Sequence, residues 1–169
     1  FRTVQPRADT DTNAAGQSSR RCILKGVIIL AEFTNANIVT VAAGQNVPLT
    51  ETSVNSKPCI VHREGAGLVT LRGMTNQCRA LYKVSYGGNI AIPTGGTVEA
   101  ITAALAVNGE SLTSAVATVT PAAVENYFNI YVSAQVSVPK GCCLTVAMKN
   151  TSTQAVNFAN SNLTVERIA

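Results

Sequence analysis

The sequence predicts an all-β sandwich or jelly roll. Two observations carry this: period-2 alternation of apolar residues in several segments, and turn residues between those segments at regular intervals. The clearest segment is 127–138, where Phe128, Ile130, Val132, Ala134, Val136 and Val138 share one face. Tyr127, Asn129, Tyr131, Ser133, Gln135 and Ser137 share the other. Pro139-Lys140-Gly141 then reads as a turn, and Leu144, Val146 and Met148 continue as the inward face of the next strand. Tyr82, Val84 and Tyr86 alternate upstream until Gly87-Gly88, which predicts a bulge or sharp bend. Ile101, Ala103, Leu105 and Val107 line a strand that ends at Asn108-Gly109, a strong hairpin signal. Leu163 and Val165 face inward on the last strand, and shorter strands are expected at 25–32, 38–42, 60–63, 68–71, 116–120 and 155–159. That makes about ten strands, the pattern of a sandwich or jelly roll. No segment carries a helical stripe; 121–125 could form one helical turn at most.

Residues 1–21 differ. They are rich in Thr, Asp, Asn, Gln, Ser and Arg, lack apolar periodicity, and read as an extended N-terminal arm, with the folded domain expected over 22–169. Residues 1–25 hold five basic side chains (Arg2, Arg7, Arg20, Arg21, Lys25) against Asp9 and Asp11, so +3 of the net +4 lies there. The rest is close to neutral. An arm this dilute and interrupted by Asp argues against packaging nucleic acid, which takes several clustered cations. No stretch of about 18 apolar residues predicts a transmembrane helix, and the apolar run 23–31 is too short, and too far behind a polar arm, for a signal peptide.

The 169 residues are 46% hydrophobic and only 13% charged. The charged share is about half that of ordinary soluble domains, which suggests that much of the outer surface is covered in subunit contacts. Catalytic chemistry finds no support. The chain has one histidine and nine carboxylates. A thiol dyad of His62 with Cys59 or Cys78 has no motif around it, and the Gly-rich pieces at 65–67 and 87–88 lack the lysine and strand–loop–helix setting of a phosphate loop. The five cysteines (Cys22, Cys59, Cys78, Cys142, Cys143) are odd in number and lack zinc-ligand spacing. Buried free thiols, with no intramolecular disulfide, are the expectation. No catalytic residue, metal or cofactor is expected.

Four motifs resemble those of a known family. Leu81-Tyr82-Lys83-Val84-Ser85-Tyr86 resembles the G-x-Y-x-V-S-Y strand of tumour-necrosis-factor/complement-C1q-like domains carried by bacteria and their phages. Leu105-Ala106-Val107-Asn108-Gly109 is similar to that family's L-x-V-N-G hairpin, and Val136-Ser137-Val138-Pro139-Lys140-Gly141 to its V-x-V-P-x-G turn. Leu163-Thr164-Val165-Glu166-Arg167-Ile168 resembles its terminal L-T-V-x-R-I strand. The likeness covers roughly 78–169 and departs at Ala80-Leu81, where the family often has Gly; residues 1–76 match nothing in it.

The resemblance implies a ten-stranded jelly roll that assembles as a homotrimer. The stretches Gly141-Cys142-Cys143 and 92–101 resemble the phage-borne versions most. The expected function is therefore that of a virion structural protein, a capsid-decoration or head-fibre trimer on the capsid exterior, or otherwise on a cell or spore surface. Its partners would be itself and a major capsid protein. Tyr127 and Tyr131, large aromatics on a polar strand face, are the candidate subunit interface. Phe1, Arg2, Val4, Arg7, Arg20 and Arg21 are the candidate capsid-anchoring side chains. An alternative is a host- or glycan-binding knob using the loops at 94–97 or 150–154. A small-virus coat protein is the weaker alternative, given the nearly neutral arm.

Overall fold

In the computed structural model, residues 28–169 are described. The arm 1–21 and Cys22 lie outside the described residues. In chain order the strands are β1 (Leu30–Asn35), β2 (Val39–Val41), β3 (Glu51–Val54), β4 (Ile60–His62), β5 (Val69–Arg72) and β6 (Arg79–Ala91). They continue as β7 (Ile101–Val107), β8 (Glu110–Val119), β9 (Phe128–Pro139), β10 (Cys143–Asn150) and β11 (Val156–Arg167). No helix occurs among the described residues; 122–125 make only bends and a turn.

Two antiparallel sheets face each other. The first runs β3-β1-β11-β6-β9, with β2 also paired to β11, and the second runs β4-β5-β10-β7-β8. The core lies between them. Its largest fully buried side chains include Tyr82, Tyr86, Phe33 and Phe158. The alternation in β9 faces the core as its sequence requires, with Ile130, Val132, Val136 and Val138 buried and Ala134 half-buried. Phe128, at the open end, stays 37% exposed. The β7–β8 hairpin turns on Asn108 (φ 50°) and Gly109 (φ 85°). That pair of left-handed residues suits the primed turn whose twist matches the strands.

Three elements differ from expectation. β3 is not among the expected strands: it is a short polar strand, Glu51-Thr52-Ser53-Val54, at the edge of its sheet. With one side in solvent it has no alternating apolar face. Next, β6 runs straight through Gly87-Gly88, paired with β9 from Arg79↔Pro139 to Ile90↔Phe128 without a shift. The bulge sits opposite, in β11. There Phe158 pairs with Ile90 and Leu163 with Tyr86, so five steps on β11 match four on β6. Finally, 155–159 and the terminal strand are one element, β11, broken in phase but not in pairing. Val156 and Phe158 point inward before the bulge, Leu163 and Val165 after it.

Asn160 takes the left-handed conformation (φ 52°) that the bulge needs. Beside it, the buried hydroxyls of Tyr86 and Ser161 share a hydrogen bond of 2.8 Å. Gly88 makes room for this: a Cβ there would lie 2.9 Å from Tyr86 Oη and 3.2 Å from Cζ. At the opposite end of the core, Tyr82 Oη donates to the Arg72 carbonyl at 2.7 Å.

Burial raises the Tyr86 phenol from 10.0 to about 12, with the Ser161 hydrogen bond lowering it in part. Burial likewise raises Tyr82, opposed by the Arg167 charge. The unfolded Tyr86 phenol loses its proton near 10.0 while the folded one keeps it up to about 12. Above the unfolded value the native state therefore binds more protons, and stability falls as pH rises through that window. For Tyr86 the full loss is about 2–3 kcal/mol. Urea midpoints measured across this alkaline range should fall more steeply for the native chain than for Tyr86→Phe. Equal slopes would mean that the Tyr86 hydroxyl is not buried.

Candidate functional site

The continuous β6–β9 register sends the odd residues of both strands to the outside of the first sheet. Near one end of this face, three asparagines form a ladder across three strands. Asn129 Nδ2 donates to Asn89 Oδ1 at 3.2 Å, and Asn89 Nδ2 donates to Asn160 Oδ1 at 3.2 Å. Beside the ladder, Tyr131 is 65% exposed and stands across from Gly87, where a Cβ would sit 3.9 Å from its ring. Ser85, Ser133, Gln135 and Thr164 extend the face; its charges, Lys83 and Arg79 on β6 and Glu166 across from Lys83 on β11, lie away from the ladder.

This face ends on an open edge. β9 is the last strand of the first sheet and β8 the last of the second, and the two lie side by side. Val116 and Phe128 are exposed along this side. An edge strand of twelve residues with unpaired main-chain groups is a template for pairing or covering. Tyr127 differs from Tyr131: it precedes β9, is half-buried, and its hydroxyl donates to Glu125 Oε2 at 3.4 Å.

The loops at 94–97 and 150–154 come together around a cleft of about 310 Å³ lined by Pro93, Thr94, Gly95, Gly96, Thr97, Gln154 and Ala155. Their polar groups largely satisfy each other. Thr97 N donates to Gln154 Oε1 (2.9 Å), and Gln154 Nε2 donates to Thr97 O (2.7 Å). Thr94 donates twice to Glu125 Oε1, and Thr153 donates to Glu99. Asn150, fully buried, donates to the carbonyls of Val41 and Gln154. This end is a braced cap with few donors left for a sugar.

At the opposite edge, between β3 and β4, a cleft of about 350 Å³ is lined by Phe33, Thr52, Asn55, Lys57, His62, Arg63 and Glu64. A shallower groove of about 470 Å³ runs beside β2 and the 65–68 loop. His62 is 9% exposed and packs on Phe33, with ring centroids 4.7 Å apart. Its Nε2 lies 3.0 Å from the Ala66 carbonyl and so carries the hydrogen; Nδ1 is buried without a partner.

The cysteines correct the sequence expectation. Cys59, buried in the core, is disulfide-bonded. It therefore offers no thiol to His62. Cys78, Cys142 and Cys143 are free but exposed, not buried. They fall at the turn end of the sandwich, outside any strand interior, where backbone bonds join Lys140 N to Cys78 O (2.9 Å) and Gly73 N to Cys142 O (2.8 Å). Among the described residues no cluster of three or more His, Cys, Asp or Glu could hold a metal ion, and no helix is long and apolar enough to cross a membrane. The anchoring candidates Phe1, Arg2, Val4, Arg7, Arg20 and Arg21 lie outside the described residues.

No protein-family model matches the chain, and no curated protein matches it. Solved structures do. An Eiger TNF from S. frugiperda superposes with a TM-score of 0.62 at 14% identity, covering 84% of this chain and 93% of that one. The fold is a TNF/C1q-like jelly roll. The globular domain of zebrafish complement 1qA protein matches at 0.59 and 9% identity (83% and 97% covered), and murine APRIL at 0.59 and 10% (84% and 100%). The TNF/C1q-like order of sheets thus extends over β1–β5, the half in which the sequence motifs fell silent.

Alkylation of the folded, unreduced protein should label Cys78, Cys142 and Cys143 and spare Cys59 until denaturant and reductant are added. Labelling of Cys59 in denaturant without reductant would contradict its disulfide.

Proposed function

We propose that this chain is a non-enzymatic virion structural protein, a homotrimeric capsid-decoration or head-fibre protein on the outer capsid surface. The observation that carries the reading is the outer face of the first sheet where it meets the β9 edge. Around Tyr131 the outward side chains of β6 and β9 are polar and uncharged, the ladder asparagines are hydrogen-bonded to one another, and the charges Lys83 and Arg79 lie farther along β6. Covering such a face costs less desolvation than covering charges would, and tyrosine is favoured in interfaces. The phage-type sequence motifs and the TNF/C1q-like fold support the trimer and its setting. Tyr131 is the central interface side chain in this reading, with Tyr127 at its margin.

Residues 1–21 form the attachment device. Phe1 and Val4 supply apolar anchors, and Arg2, Arg7, Arg20 and Arg21 pair with carboxylates on the major capsid protein. Three arms on one trimer act together, so modest contacts per arm add up to firm attachment. The recognition-knob reading is less well supported at the loops 94–97 and 150–154, because the polar groups there are committed to each other. Nucleic-acid binding gains no support from the nearly neutral domain.

Light scattering coupled to size exclusion should give three times the 17.6 kDa chain mass. Tyr131→Ala should shift that mass toward the monomer at micromolar concentration while leaving a folded subunit, and adding Tyr127→Ala should extend the effect. A monomeric native chain, or an unchanged trimer in the double variant, would remove this interface. Deleting residues 1–21 should leave the oligomer intact and abolish decoration of shells; undiminished decoration would show that the arm is not the anchor.

A further inference from the structure

The cleft between β3 and β4 lies at the edge of the sandwich away from β9. Among the described residues nothing on the β9 side reaches it, and its binding chemistry is independent of the assembly reading. Its composition is unlike that of the braced loops. Lys57 and Arg63 are exposed at its rim, and neither charged head has a hydrogen bond or ion pair among the described residues. The Thr52 hydroxyl and the Asn55 amide nitrogen are likewise uncommitted; Asn55 Oδ1 alone is used, by the Lys57 amide. Glu64 adds one carboxylate acceptor. The wall is preorganised, because His62 is fixed between the Ala66 carbonyl and the Phe33 ring.

Uncommitted donors of this kind call for oxygen-rich ligands. The planar Arg63 fork suits a carboxylate. A polyphosphate would meet Glu64 with like charge, whereas a ligand carrying one carboxylate and several hydroxyls can use both signs. The volume of about 350 Å³ lies at the small end of ligand pockets. We propose that this cleft is a binding site for a carboxylated sugar, with Arg63 and Lys57 taking the carboxylate and Thr52, Asn55 and Glu64 taking ring hydroxyls.

The test is titration of the full chain, followed by amide NMR shifts, with glucuronate and N-acetylneuraminate as probes. Glucose supplies a ring without the carboxylate, and acetate a carboxylate without the ring. At least one acidic sugar should shift the amides of 52–64 saturably, with glucose and acetate each weaker by about tenfold or more. Arg63→Gln should weaken binding by a similar factor, and Lys57→Gln should add to the loss. Both positions are exposed, so the fold should survive, and the unchanged shifts of β6 and β9 amides would verify that. No saturable shift with either acidic sugar, shifts centred on another part of the chain, equal binding of acetate, or undiminished binding by the double variant would each overturn the proposal.

Discussion

One buried contact decides which way the last strand faces. Side chains alternate with a period of two, so β11 could not place both Phe158 and Leu163 in the core without an extra residue between them. The bulge at Asn160 supplies that residue, and the Tyr86–Ser161 hydroxyl pair holds it from inside. Gly88 lets the tyrosine ring lie where it must. Because β11 sits between β1 and β6, its phase fixes which faces of the first sheet turn inward. An unbulged β11 would send Leu163 and Val165 into solvent and leave the core short of both.

The proposed assembly face depends on the same constraint. With the inward set used up by Tyr82, Val84, Tyr86 and their β9 neighbours, small neutral side chains surround the outward Tyr131, and Lys83 and Arg79 lie farther along β6. Asn160, the residue that makes the bulge, also ends the asparagine ladder. Core phase and surface chemistry therefore meet at one position. The ladder joins Asn129, Asn89 and Asn160 across three strands, which ties up part of their amide hydrogen-bonding capacity within the face. The two clefts divide in the opposite sense: one has its polar groups tied to each other, the other presents them unpaired.

The sequence made the strongly alternating elements legible. β7, β9 and β10 stand close to where their apolar periods put them, and the Asn108-Gly109 turn has the backbone its residues call for. Legibility failed where tertiary context outweighs local pattern. β3 has too few apolar residues to announce itself, since a strand at a sheet edge need not alternate. The glycines of β6 pointed to a bulge that lies on its neighbour, because Gly88 serves a side chain rather than a kink. The exposure of the three free cysteines runs against the general tendency of free cysteine to be buried, because Cys78 and Cys142 lie between strands and Cys143 is the first residue of β10. The cleft was invisible because Lys57 and Arg63 become neighbours of Phe33 only when the two sheets close. Of the two candidate interface tyrosines, Tyr131 stands free and Tyr127 is half-buried beside Glu125, a distinction that alternation alone does not make.

The central claim is that copies of this jelly roll cover the β9 side of the first sheet. Hydrogen exchange read peptide by peptide, at protein concentrations above and below the point of assembly, tests it most directly. Exchange in 128–139 should slow markedly when the chains assemble, while 51–64, on the opposite edge, should exchange at the same rate in both samples. Protection confined to 51–64, or none in 128–139 under conditions where the chain is oligomeric, would contradict the account.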